Sequence, residues 1–383
     1  MNLRVHHQID ELAPSQWDRL AGDNVMASHG WLRTVEATSV VPIQPRYVAV
    51  HERDDIVAAA LCAIVPSTDM IETLDHMIFG KLKPFATKFG ISLHPALVCG
   101  PLHSFGTHLI FDPDTTSRQR YKLTRVLLDS IESTAHSEGC VPAFLQVMST
   151  EIELYAELRA RVYLKGRHIP TNFLNIEWST FDEYLGHLNT VSRDARKDIR
   201  RQINQNRKRG TEIRLLDDPL PHQNRLHRIL ENNSLRHNRR PFSFRPEFFS
   251  QLKRNLGDDA LLYIAEKNGN ITGVSVVLKR GYVVNLPLVG VDHELAGNDF
   301  TYFNLAQYRP IADAISDGVQ IMNFGRELYG LKARRGCHVA DLSLWVKPTS
   351  RVVACALSVW LRVLNSWIRL KLPERVRGAL RQT

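Results

Sequence analysis

The spacing of apolar and polar positions changes several times along the chain, and each change marks an element. PRYVAVHERDDIVAAALCAIV, residues 45–65, alternates and then runs apolar around a polar turn at Glu52 to Asp55, which predicts a β-hairpin. ALLYIAEKNGNITGVSVVLKR, residues 260–280, repeats the pattern around Lys267 to Asn270, with Tyr47 matching Tyr263, Ala49 matching Ala265 and Ile56 matching Ile271. Each hairpin is followed by a helix that ends near an acidic residue and a glycine, and then by a strand. The first set is Tyr121 to Ser137, Gly139 and Pro142 to Met148; the second is Leu305 to Ser316, Gly318 and Val319 to Phe324. Pro310 falls inside the second helix and predicts a kink. One order of elements used twice predicts a duplicated domain rather than a solenoid, whose period is far shorter. The expected division is 1–168 and 169–349, with a tail over 350–383.

Near the start, Trp17 to Leu20 and Ser28 to Leu32 predict a short helix and a helix start. TNFLNIEW, from Thr171, opens the second domain as a strand, and Thr180 precedes Glu183 at capping-box spacing. SRDARKDIRRQINQNRKRG then predicts a basic helix closing at Gly210. Arg193, Arg196, Lys197, Arg200 and Arg201 fall at three- and four-residue steps and share a face, while Asp194 and Asp198 can pair with Lys197 and Arg201. A solvated, salt-bridged helix accounts for this as well as an anion-binding one does. The last predicted strands, over VQIMNFG and DLSLWVK, enclose a loop in which Arg326, Lys332, Arg334 and Arg335 face one acid, Glu327. Such a loop suits a phosphorylated or carboxylate ligand, or is simply a solvated basic turn.

Composition sharpens the charge pattern. The 383 residues are 44% hydrophobic and 23% charged, values of an ordinary globular protein long enough for two domains. The formal net charge of +9 is concentrated in two segments: residues 192–214, with nine Lys or Arg against three acids, and residues 351–383, with seven against one. The remainder is therefore slightly acidic, and the placed positive charge points to anionic partners. Five cysteines with no CxxC pair predict buried thiols in a reducing cytoplasm, neither a disulfide framework nor a zinc site. MNLRVHHQIDELAP carries no apolar run of the signal-peptide kind, so export is not expected.

Three stretches resemble one family: SHGWLRTVE; FLNIEWSTFDEYLGHLNTVSRDARKDIRRQINQNRKRGTEIRLL, with its R-x-x-I-R-R helix; and DGVQIMNFGRELYGLKARRG, with its Tyr-x-x-Lys and final Gly. In this order they resemble the FemAB-like and BioF-like tandem GNAT acyltransferases. The resemblance implies an α/β fold with mixed sheets, in two GNAT-like domains, with acceptor and acyl donor meeting between them; the acceptor is expected to be a small molecule or a cell-envelope precursor that offers an amine. It also implies that the lysine of Tyr-x-x-Lys, here Lys332 with Tyr329 beside it, belongs to the transfer site. Acyl transfer to an amine passes through a tetrahedral oxyanion, and a fixed donor there contributes about 10²- to 10³-fold. Holding the reactants together supplies up to roughly 7–11 kcal/mol more, so no covalent nucleophile or metal is needed. Asp292 and Glu294, with His293 between them, follow an apolar strand where a GNAT fold opens to its donor; either acid is a candidate base, worth about 10²–10⁴-fold, or part of a polar turn. Asn323 and Arg326 would orient the acceptor, and Arg334 and Arg335 would bind anionic groups.

DHELAGNDFTYFNLAQY holds one glycine, Gly297, and lacks the R/Q-x-x-G-x-G/A turn with which an ordinary GNAT holds the pyrophosphate of CoA. The donor is therefore acyl-CoA or, as in the Fem enzymes, aminoacyl-tRNA, which Arg196, Arg200 and Arg201 with Arg207, Lys208 and Arg209 would grip. A binding module for RNA or membrane that kept the fold without catalysis is the rival reading. Over 350–372 the chain is apolar, but Arg362 costs about 2.5–3.5 kcal/mol to insert, so no spanning helix is expected. The segment is expected to dock on the second domain through Val353, Leu357, Trp360, Leu364 and Trp367. The alternative is a peripheral membrane contact through 350–377, with Arg362, Arg369, Lys371, Arg375 and Arg377 toward anionic lipid at about 1 kcal/mol each.

Overall fold

The structure, a computed structural model, describes residues 2–100, 109–326 and 328–371, with side chains up to residue 366. Its strands are β1 (Asn2–His6), β2 (Gln44–Glu52), β3 (Asp55–Val65), β4 (Ala96–Cys99), β5 (Leu109–Phe111), β6 (Val141–Met148), β7 (Leu164–Asn175), β8 (Thr211–Leu215), β9 (Ala260–Lys267), β10 (Asn270–Arg280), β11 (Val283–Val291), β12 (Ile321–Gly325) and β13 (His338–Val346). The chain forms two compact units. One comprises Met1–Leu32, Val41–Pro170 and Ala340–Thr383; the other comprises Arg33–Val40 and Thr171–Val339. They are not the contiguous segments that the repeat suggests, because a short N-terminal piece joins the second unit and the chain returns to the first after residue 339.

Within the first unit β1, β2, β3 and β4 pair antiparallel, β4 pairs parallel with β6, and β13 pairs antiparallel with β6. Alternate residues feed two cores. Leu97, Cys99, Phe144 and Trp345 pack with Leu127 and Ile131 of the helix Ser117–Ser137, while Ala96, Val98, Ala143, Leu145 and Leu344 pack on the other side. A sheet buried on both faces needs near-continuous apolar strands, and Ala58 to Val65 supplies one.

The second core includes the helix Arg351–Lys371. Leu357 and Leu361 are 3% and 2% exposed beside Leu74, Ile78 and Val346, and the Trp360 indole donates to the Ile78 carbonyl at 2.8 Å. The helix thus docks on the first unit, which corrects the expectation that it packs on the second. The cause is the preceding strand, whose pairing with β6 delivers the chain to the first unit's sheet before the helix begins. Of the residues invoked for that segment, Trp367, Arg369, Lys371, Arg375 and Arg377 lie outside the described side chains.

The second unit repeats the plan. β8, β9, β10 and β11 run antiparallel, β11 pairs parallel with β12, and β12 pairs antiparallel with the 172–175 part of β7. In both units the parallel pair is joined through a helix, Ser117–Ser137 in one and the helical run 301–316 in the other. The hairpin turns form where the sequence places them. Arg53 takes positive φ in the first, and Asn268 and Gly269 do so in the second, as a two-residue primed turn requires.

Two glycines let helices close on opposite faces of the second sheet. A Cβ on Gly273 would lie 2.8 Å from Leu305 Cδ2, and one on Gly290 would lie 2.9 Å from Leu230 Cδ2. Gly273→Val is therefore expected to overpack the contact with the helical run 301–316 and to cost about 1–3 kcal/mol, read as a lower urea midpoint with unchanged slope.

Candidate functional site

The site elements of the second unit converge where β11 and β12 part. Their parallel pairing covers only Val283 to Asn285 against Ile321 to Asn323, although β11 continues to Val291. At the same level β12 breaks register against β7 between Asn323 and Gly325, and Gly325 takes φ 67°. Asn323, 4% exposed, fills the gap: its Oδ1 accepts from the Gly325 amide and from Thr171 Oγ1, both at 2.9 Å. Asn172 Nδ2 donates to the Gly325 carbonyl at 2.8 Å.

Beyond this bulge the chain turns back through the short helix Tyr329–Ala333, entered through Leu328 at φ 51°. Lys332 is 5% exposed, and its ammonium donates to the carbonyls of Phe324 at 2.7 Å and Arg326 at 2.9 Å, with that of Gly325 at 3.4 Å. Burying a cation is tolerable here because the carbonyl dipoles at the end of β12 replace its water. Tyr329 is half-buried at the head of the same helix, Arg326 half-buried at its approach, and Arg334 exposed.

Arg335 is not a surface cation. It is 6% exposed, its guanidinium carbon lies 4.9 Å from the Phe303 ring centroid and 5.4 Å from that of Tyr308, and Nη2 donates to Tyr308 Oη at 2.6 Å. Nη1 donates to the Leu331 carbonyl at 3.1 Å, while Nε is buried without a hydrogen-bond partner. The network then runs away from Arg335. Tyr308 Oη donates to Gln202 Oε1 at 2.5 Å, Gln202 Nε2 donates to Asp198 at 2.7 Å, and Asp198 accepts from Arg201 at 2.5 Å. Two cations that the sequence singles out are thus the ends of one hydrogen-bonded chain. Its middle members, Tyr308 and Gln202, carry no sequence signal because their partners are remote in the chain. Burial pushes the Tyr308 phenol up, against the opposing pull of Arg335.

Tyr308 closes a π-helical turn, Asn304–Tyr308, between the helical turns Thr301–Phe303 and Arg309–Ser316. Pro310 explains its place. With no amide hydrogen and a ring that would strike the carbonyl four residues back, it favours a widened turn just before it, where the sequence predicts a kink.

The basic helix runs over Ala195–Lys208. Arg200 pairs with Asp182 at 2.7 Å, Arg201 lies 5.2 Å from the Phe300 ring centroid, and Arg196 is half-exposed. Thr180 caps the preceding helix by accepting from the Glu183 amide, and Glu183 bonds the Ser179 amide instead of completing the reciprocal box. A cleft of about 600 Å³ opens beside this helix, lined by Ile203, Asn206 and Arg207, by Thr211, and by Asn304 and Tyr308 of the widened turn.

The two candidate bases differ. Asp292 caps the turn His293–Ala296, accepting from the Leu295 amide at 3.2 Å, and pairs with Arg225 at 2.8 Å. Burial raises its pKa, but Arg225 and the backbone amides together hold the carboxyl below its usual range, which makes it a weak proton acceptor. Glu294 is exposed on the same turn. A third carboxylate, Asp299, escaped the sequence reading. It is fully buried and accepts from Thr211 Oγ1 at 2.7 Å, from Thr301 Oγ1 at 2.6 Å and from Lys267 Nζ at 3.4 Å. Its only local signal is the Asp-x-Thr spacing with Thr301. Among the described residues no group of three or more His, Cys, Asp or Glu is placed to hold a metal.

The class is defined by two GNAT-like units, each with a parallel strand pair joined through a helix, the second carrying a buried, cation-rich turn where that pair separates. Residues 8–343 match the model of the FemAB-like family, described as peptidoglycan biosynthesis/recognition, and the chain belongs to that family. It is a transferase of the acyl or aminoacyl class. Among solved structures, FemX superposes with a TM-score of 0.58 at 13% identity, covering 90% of this chain and 97% of that one. The C-terminal domain of a putative lysylphosphatidylglycerol synthetase from Agrobacterium fabrum gives 0.54 at 11%, covering 92% and 96%. L-PGS from Bacillus licheniformis gives 0.51 at 12%, covering 84% and 89%. At such identities the likeness establishes the fold. No curated protein matches the chain by sequence.

Proposed function

We propose that this protein transfers an acyl group from acyl-CoA to an amine of a peptidoglycan-related or other envelope precursor, with the transfer site in the second unit. The observation that carries this reading is the parting of β11 and β12 beside a turn fixed by Lys332 and Arg335. In this scheme Lys332 and Tyr329 set the end of β12 against the reacting carbonyl, and Asn323 and Arg326 orient the acceptor. Arg334 is the exposed cation of the turn, and Arg335 braces it from inside. Glu294 takes the amine proton, a step worth about 10²–10⁴-fold, while Asp292 holds the turn on which Glu294 sits. The cleft beside Arg207 suits the anionic part of the donor. Cysteines that form no disulfide suit a reducing cytoplasm.

A second reading replaces acyl-CoA by aminoacyl-tRNA. It is favoured by the basic helix, where Arg196, Arg200, Arg201 and Arg207 offer a row of phosphate contacts. Thermal stability of the purified chain against acyl-CoAs, free CoA and charged tRNA, at low and high salt, separates the two. A ligand at 100 times its dissociation constant adds about 2.7 kcal/mol. A shift with CoA species that survives salt is the expected result. A shift with tRNA alone, falling by roughly 0.7 to 0.9 log units in affinity per contact per decade of salt, assigns the aminoacyl reading.

A further inference from the structure

The first unit presents an apolar face that its own core covers only in part. Between the helical hairpin Leu74–Lys88 and the helix Arg351–Lys371 lies a groove of about 470 Å³ lined by Leu82, Phe85 and Phe89 on one side and Val353, Ala356 and Trp360 on the other. The Phe85 and Phe89 ring centroids lie 4.7 Å apart with the rings tilted by 57°, yet the residues remain 63% and 64% exposed, and Leu82 is 50% exposed. On the helix, Val352, Val359 and Val363 are 79%, 61% and 56% exposed. With Ala356 they follow a four-three-four spacing, which is one helical face. This helix therefore has two apolar faces, one closed by Leu357 and Leu361 in the core and one open.

The charges on the two stretches that form the open face have a single sign. Residues 79–94 hold three lysines, residues 351–366 hold two arginines, and neither stretch contains an acid. Lys81, Lys88, Arg351 and Arg362 are exposed, and Lys83 pairs with Asp69, which comes from outside both stretches. Apart from Asp69, which Lys83 pairs, the exposed aromatic and aliphatic side chains are edged by cations, and they match a bilayer with anionic headgroups, where apolar groups enter the interface and lysines meet lipid phosphates. A protein partner would leave the cations needing acidic counterparts that a lipid leaflet supplies everywhere. Among the described residues no helix is long and apolar enough to cross a membrane, so contact is with the surface.

We propose that this face, built from the phenylalanine-bearing hairpin and the open side of the C-terminal helix, seats the protein on an anionic membrane surface. The proposal does not rest on the transfer reading, since it is measured without any donor or acceptor. The full chain is floated with vesicles of phosphatidylcholine alone or with a third of phosphatidylglycerol. Binding to the anionic vesicles is expected to exceed binding to the neutral ones by about 10-fold or more and to weaken with salt. Phe85→Glu with Phe89→Glu should lower it about 10-fold or more while leaving the melting temperature unchanged, because both rings already face solvent. In the unsubstituted protein, brominated phospholipid should quench the fluorescence contributed by Trp360, and Trp360→Phe should remove that part of the quenching. Equal binding to both vesicle types, no binding, or full binding by the double variant would overturn the proposal. So would a dimer that the double variant splits, which would assign the face to a second copy of the chain.

Discussion

Lys332→Met is expected to lower transfer by about 10²-fold, the scale of a misplacement of about 1 Å at the reacting groups once the end of β12 is no longer held. Methionine keeps the unbranched stem and most of the packing but withdraws the ammonium donor from the carbonyls of Phe324 and Arg326, while that of Gly325 keeps Asn172. Each buried carbonyl left unpaired costs about 1–3 kcal/mol, so the variant should also unfold at lower urea. The two effects are separable. If Lys332 only supports the fold, the folded fraction of the variant transfers at the normal rate; if it also sets the transfer geometry, kcat falls in protein shown to be folded. Lys332→Arg should restore some stability and little activity, because a planar fork does not fit three carbonyls gathered about one point.

Tyr308→Phe should be the more destabilising single change in the network, at roughly 2–4 kcal/mol, because it orphans Gln202 Oε1 and one nitrogen of the buried Arg335 cation together. Arg335→Met in that background should recover part of the loss, since it removes the charge that has lost its partner. Urea unfolding of the two single variants and the double variant gives the coupling, expected between about 0.5 and 3 kcal/mol and favourable to the double variant. Additive losses would mean that Tyr308 and Arg335 act independently, contrary to their 2.6 Å contact.

What the sequence reveals depends on how local the cause is. The hairpins at Arg53 and at Asn268 with Gly269 are written in turn chemistry and appear where the pattern predicts them. The basic helix over Ala195–Lys208 and the Thr180 cap are likewise local. The cation cluster after β12 is visible as charge, but its burial is not. Whether Arg335 meets water or Tyr308 depends on a helix some thirty residues earlier, and on the contact of Leu305 with Gly273 that seats that helix. Pro310 announces a disturbance, whereas the form it takes, a widened turn that carries Tyr308, depends on packing. Asp299 and Gln202 are ordinary polar residues until the fold brings their partners to them. The C-terminal helix shows the same limit. Its apolar stripe establishes that one face is buried, and only the pairing of β13 with β6 decides which core receives it.

The most direct test of the central claim is transfer itself. The full chain is incubated with isotopically labelled acyl-CoA, and in parallel with labelled aminoacyl-tRNA, together with peptidoglycan precursors, and products are read by mass spectrometry. The account predicts an amide-linked acyl adduct on a precursor amine from the CoA donor, reduced about 10²-fold in folded Lys332→Met. Absence of any adduct from either donor, together with salt-steep RNA binding that Arg200→Glu and Arg201→Glu abolish, would contradict it.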